Sequence, residues 1–158
     1  MGKFTRAELE EAYQIYDAAV KQAVASGDWR CWANIFTEDA TYIEHAYGEF
    51  RGREAIYQWI SKVMAPFPTM YFPQDWVVYD EENSAIVMCV QNVLPHPSDP
   101  EKSFGFPNWT RLIYAGNGLF SLEEDIYNPS KDAPAVIRAW IEAGGKFATS
   151  EQVKMEHA

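Results

Sequence analysis

Two kinds of hydrophobic period divide this chain, and their order limits what it can become. Up to residue 64 the apolar positions recur mainly at helical spacing, and from residue 70 they alternate as strands do. Thr5-Arg6-Ala7-Glu8 has the capping-box pattern, and Leu9, Ala12, Tyr13, Tyr16, Ala19, Val20 and Ala23 then share one helical face up to Gly27. Asp28 opens a short second helix whose stripe is Trp29, Trp32, Ala33 and Phe36. A third helix covers 54–64, with Ile56, Ile60 and Val63 facing in. Between these, 40–45 reads as a strand and 48–52 as a turn region with a short extended piece. Four strands follow at 70–79, 85–94, 106–114 and 119–127. Their turns are Asp80-Glu81-Glu82-Asn83 and Gly116-Asn117-Gly118, and a polar loop fills 95–103. A last helix at 131–143 stops at Gly144-Gly145. Helices segregated from a long antiparallel sheet predict an α+β fold, here a single domain over 1–158 with its core at 9–143 and a tail at 144–158.

Charge and composition narrow the partners. The formal charge of −10 argues against nucleic acid and against anionic membrane surfaces, both of which need clustered Lys and Arg. No stretch approaches the ~20 apolar residues of a membrane span. Residues 1–11 are charged and lack the apolar run of a signal peptide. Cys31 falls on a helix pattern and Cys89 inside a strand pattern, so both read as small core residues of a reducing, cytoplasmic compartment. Three scattered histidines offer no metal-binding spacing, and no cofactor is expected.

Two strand segments carry carboxylates at positions that should be apolar. They are Tyr42-Ile43-Glu44-His45 and Glu123-Glu124-Asp125-Ile126-Tyr127. Strand side chains alternate, so Tyr42 shares a face with Glu44, and Glu123 shares one with Asp125 and Tyr127. If both faces look into one pocket, acids and phenols converge there, as general acid–base chemistry requires. The candidate catalytic residues are therefore Glu44, Asp125 and Tyr42. His45 is a lesser candidate that a bulge would have to turn inward. Tyr16, Trp32, Trp59, Asn92, Asn108, Thr110 and Tyr127 are candidates to line the pocket and orient a substrate. Structural alternatives stand beside these: Glu44 as a polar plug held by Tyr42 or Asn108, and Asp125 in an ion pair with Arg111.

The element order, with Gly27-Asp28, Phe36-Thr37-Glu38-Asp39-Ala40-Thr41, Gly52-Arg53-Glu54-Ala55-Ile56 and Tyr127-Asn128-Pro129, resembles the nuclear transport factor 2-like superfamily. Within it the chain is most similar to the SnoaL-like group named for polyketide cyclases, over about Leu9 to Ala143. The resemblance implies a cone: three N-terminal helices and a C-terminal helix against a strongly curved, mostly antiparallel sheet with an apolar pocket. It also implies homodimers paired through the outer sheet face. Laid on the ketosteroid isomerases of that superfamily, Glu44 falls on the general base. Val20 and Thr110 replace the two donors of their oxyanion hole. Laid on the limonene epoxide hydrolases, Tyr42 and Asp125 match pocket residues, Glu44 replaces an asparagine, and Val90 and Asn92 replace an arginine and an aspartate. Such a fold hosts many activities. The expectation is proton transfer on a small hydrophobic oxygenated substrate such as a polyketide, steroid or terpenoid, by isomerisation, dehydration or cyclisation. The alternative is a non-catalytic ligand-binding or interaction module.

Overall fold

The computed structural model describes residues 2–156. Its elements are α1 (Arg6–Ser26), α2 (Arg30–Ala33), β1 (Phe36–Glu44), β2 (Gly48–Arg51), α3 (Arg53–Met64), β3 (Gln74–Asp80), β4 (Ala85–Pro95), β5 (Ser103–Gly116), β6 (Leu119–Ile126) and α4 (Asp132–Glu142). The capping box forms: Glu8 N–H donates to the Thr5 hydroxyl at 3.3 Å while Thr5 N–H donates to the Glu8 carboxylate at 2.8 Å. Gly27, at φ 73°, closes α1 by donating to Ala23 O. Between β5 and β6, Gly116, Asn117 and Gly118 all have positive φ, the backbone that a tight hairpin of this twist demands.

Several boundaries differ from those the sequence suggests. Phe36 is the first residue of β1 and not part of the second helix, because Phe120 lies opposite it in the sheet. The strand expected from residue 70 begins at Gln74; ahead of it only Tyr71 bridges to Val93. β4 and β5 reach further than expected, to Pro95 and from Ser103, which shortens the loop between them.

One six-stranded sheet runs in the order β2-β1-β6-β5-β4-β3. Every neighbouring pair is antiparallel except β1 and β6, which lie parallel. The sheet curls round α1, α2 and α3. Leu9, Trp32, Phe36, Ile56, Ile86, Leu112 and Phe120 meet in the core between them. A smaller cluster of Met70, Leu94 and Trp140 seats α4 at the other end. Burial of these side chains supplies most of the driving force for the fold. Among the described residues no helix is long and apolar enough to cross a membrane.

Phe120 is fully buried and packs edge-on against Tyr16 and tilted against Tyr114, next to the parallel junction. Truncation there opens a cavity that α1 and two strands cannot all close. Phe120→Ala should cost about 3–5 kcal/mol in urea denaturation. A loss under about 1 kcal/mol would show that this end of the core is loosely packed.

Candidate functional site

Parallel pairing of β1 with β6 sets Tyr42 opposite Glu123 and Glu44 opposite Asp125. Thr110 on β5 lies across from Asp125 on its other side. All of these side chains point to the inner face of the sheet. Glu44 and Glu123 are each only 2% exposed. α1 contributes Tyr16, whose stripe position puts its hydroxyl 2.8 Å from Glu123 Oε1, to which it donates.

The hydrogen bonds divide the two β6 carboxyls. Asp125 Oδ1 accepts from the Thr110 hydroxyl at 2.6 Å and from Asn108 Nδ2 at 3.0 Å, and Oδ2 accepts a short bond from the Tyr42 hydroxyl. Three donors thus converge on Asp125. Glu123 Oε1 lies 3.3 Å from the Tyr42 oxygen as well as accepting from Tyr16, while its Oε2 has no partner. Glu44 accepts from the backbone N–H of Tyr47 at 2.8 Å and from that of Ala46 at 3.4 Å, where the chain folds back after β1.

These groups form one wall of a cavity of about 170 Å³. The remaining walls are largely apolar, with Trp29, Trp32, Trp59, Phe67, Phe72 and Phe106 among them. Glu44, Asp125, Tyr42, Tyr16, Trp32, Trp59, Asn92, Asn108, Thr110 and Tyr127 all line it, and no Lys, Arg or His is among its described lining residues. The loop between β4 and β5 does not reach the cavity. The C-terminal tail does, through Met155, with Glu156 N–H donating to Ala46 O at 2.8 Å. His96 instead braces its own loop, stacked on Phe104 and accepting from Ser98 and Asp99 N–H.

His45 corrects one expectation. β1 ends at Glu44 without an inward bulge, so alternation sends His45 to the outer face, where its Nε2 is 2.9 Å from Glu124. It does not line the cavity. Arg111 sits in the same outer row and bonds Glu124, not Asp125. The ion-pair alternative for Asp125 therefore fails, since side chains at adjacent positions of β6 face opposite ways. Glu123 is a cavity-lining carboxyl that the sequence reading placed on the face of Asp125 but left out of its candidate residues. Its signal was its parity with Asp125, two positions on.

Burial pushes the Glu44, Glu123 and Asp125 carboxyls above the ordinary range. Negative charge on Asp125 adds to the effect at Glu44 and Glu123, and Glu123 is pushed well up. At Asp125 the bonds from Thr110, Tyr42 and Asn108 pull the other way. Burial also lifts the phenols of Tyr16 and Tyr42, the neighbouring carboxylates adding to it, so both keep their protons.

A raised carboxyl pKa means that the folded chain holds a proton the unfolded chain has released. The resulting stability is fully present below the unfolded carboxyl pKa, about 4, and is lost as pH rises through the folded value. Glu123→Gln removes that loss. Urea denaturation should find the variant more stable than wild type at neutral pH, by on the order of 1 kcal/mol, with the gap closing towards about pH 4. A variant less stable than wild type at neutral pH would show that Glu123 is held as a satisfied carboxylate.

Comparison with known proteins agrees with this fold. The model of the SnoaL-like domain matches residues 17–106, more than half of the chain. No curated protein sequence matches this chain. Among solved structures, a ketosteroid isomerase-like protein from Catenulispora acidiphila, in complex with trimethylamine, has TM-score 0.62 and 19% identity, covering 80% of this chain and 92% of its own. An NTF2-like protein from Anabaena variabilis has TM-score 0.64 and 16% identity, covering 84% and 97%. An LEH-like epoxide hydrolase from M. tuberculosis has TM-score 0.64 and 12% identity, covering 87% and 91%. At these identities the likeness is one of fold. Fold, strand order and family model agree, and the chain belongs to the SnoaL-like domain family.

Proposed function

We propose that the cavity binds a small, mostly apolar, oxygen-bearing molecule and moves a proton on it, as in isomerisation, dehydration or aldol-type cyclisation. Glu44 is the base, and the Tyr42–Asp125 pair supplies or steadies the proton at the substrate oxygen. The observation that carries this reading is the meeting of Glu44, Tyr42 and Asp125 on one buried face of an apolar cavity. Burial leaves Glu44 a stronger base than an exposed carboxylate, while two backbone N–H groups keep the ionised form accessible. A substrate seated between the apolar walls would displace water, and charge developing on it would be met by fixed donors.

Epoxide hydrolysis is less well supported, because Val90 and Asn92, which line the cavity, fall where the resemblance to the limonene epoxide hydrolases would place an arginine and an aspartate. The competing reading is a ligand-binding module without turnover. Deuterium exchange separates the two without knowledge of the product. In D2O, wild type should catalyse label uptake at the α-carbon of one or more of acetophenone, cyclohexanone and a β-hydroxy ketone, read by mass spectrometry. Glu44→Gln should lower that rate about 10²–10⁴-fold. The wild-type rate should fall only on the acid side of its pH profile, where Glu44 becomes protonated, and this limb should vanish in the variant. Exchange no faster than in buffer for every ketone would favour the binding module.

Assembly as a homodimer is part of the same reading. Trp76, Trp109 and Ile126 are exposed in one row across the outer face of β3, β5 and β6, with Val78 beside them. Trp76 and Trp109 pack edge to face at 5.5 Å. An exposed apolar sheet face of this kind suits a second copy of the chain. Sedimentation velocity should find dimers, and Trp109→Glu should shift them to monomers with the circular dichroism unchanged. Monomeric wild type would reject this assembly.

A further inference from the structure

The tail beyond α4 belongs to no helix or strand, yet it is anchored at two places. At the first, Phe147 packs on Phe67 and Trp140, and Ala148 N–H donates to Pro66 O at 3.1 Å. The second anchor is Glu156, whose N–H donates to Ala46 O at 2.8 Å. Between the anchors a pocket of about 480 Å³ separates the tail from α4. It is walled by Pro134, Ile137 and Ile141 on one side and by Phe147, Val153 and Met155 on the other. The chain thus returns to Ala46 across a gap that it does not pack into.

What the tail reaches is one peptide group. Ala46 O and Tyr47 N–H are the two ends of a single planar amide. Its carbonyl accepts from Glu156, and its N–H donates to Glu44 Oε2 at 2.8 Å. This is the shorter of the two backbone bonds that Glu44 receives, the other being 3.4 Å from Ala46 N–H. A bond at one end of an amide fixes its plane and polarises the group, which strengthens the bond at the other end. Ala46 is fully buried beneath the tail, and a carbonyl there needs a protein donor. Met155, one residue before the anchor, completes the cavity wall on the same side.

We propose that the tail is part of the site, and that Glu156, through its backbone N–H, is a positioning residue that holds the Ala46–Tyr47 peptide with its N–H aimed at Glu44. The inference rests on the reading of Glu44 as the base. It assigns the role to a backbone atom and not to the exposed side chain of Glu156. A donor favours an ionised carboxylate, so the Tyr47 N–H lowers the pKa of Glu44 against the upward push of burial and of the charge on Asp125. The other titratable groups facing Glu44 are the phenols of Tyr47 and Tyr127. Without the bond from Glu156 the peptide is free to turn, the Tyr47 donor weakens and Glu44 holds its proton more tightly.

Glu156→Pro removes the N–H, whereas Glu156→Ala keeps it and removes the carboxylate. Amide hydrogen exchange followed by NMR should find the Tyr47 N–H about tenfold less protected in Glu156→Pro than in wild type, with the amides of β5 unchanged. The carbon-13 titration of the Glu44 carboxyl, assigned by its disappearance in Glu44→Gln, should move to higher pH, by about threefold in proton affinity. Glu156→Ala should restore both to their wild-type values. Unchanged Tyr47 protection or an unmoved Glu44 titration in Glu156→Pro overturns the proposal. The same changes in Glu156→Ala also overturn it, because they would belong to the carboxylate. In the deuterium-exchange assay the acid limb should move to higher pH in Glu156→Pro and return in Glu156→Ala; a slower rate with the limb unmoved would mark a merely structural tail and reject the positioning role. Failure of the catalytic reading looks different: no ketone would take up label, while the Tyr47 and Glu44 shifts remained.

Discussion

The site depends on the parallel junction between β1 and β6. Strands that follow one another can pair through a short turn, but parallel neighbours need a long crossover. Here the crossover comprises β2, α3 and the three strands β3, β4 and β5. Its closure brings residues about eighty positions apart into side-by-side register, Tyr42 with Glu123 and Glu44 with Asp125. A slip of β1 by one residue would turn Tyr42 and Glu44 to the outer face and bring Ile43 inward. The pairing is held by the buried rings of Phe36 and Phe120, by Tyr16 reaching down from α1, and by apolar side chains on both sides.

Burying three carboxyls on one face without a cation needs compensation, and the fold provides it unequally. Asp125 receives a hydroxyl, an amide and a phenol, Glu44 two backbone N–H groups, and Glu123 a single phenol. Unequal solvation by the protein pushes the proton affinities of like groups apart, which is how one pocket can hold an acid and a base together. The phenol of Tyr42 touches both β6 carboxyls and couples them. Such a wall is a local loss of stability, tolerated because the aromatic shell around it is densely packed.

Most of the fold was legible because its signals are local. The capping box at Thr5, the glycine that ends α1 and the Gly116-Asn117-Gly118 hairpin are short-range chemistry, and all appear where the pattern places them. Phe36 is the instructive exception. Its helical spacing from Trp32 was real, but pairing with Phe120 across the sheet outweighed it. In the site, parity correctly turned Glu44, Asp125, Tyr42, Asn108 and Thr110 inward and His45 outward, whereas the Asp125–Arg111 pair that the sequence left open ignored it. The same rule applied to Glu123, yet nothing local distinguishes Glu123 from Glu124; only their faces do. The reach of the tail to the cavity had no signal in the periodicity, because Met155 belongs to no regular element.

The amino-acid sequence alone determined the order and type of the helices and strands, though not all of their ends, and which side chains share a face, since both follow from backbone periods of a few residues. Tertiary structure decided which faces meet. It placed the first strand against the last, and gave Asp125 three donors and Glu123 one. Those outcomes depend on distances between elements far apart in the chain, and packing of the whole core sets such distances.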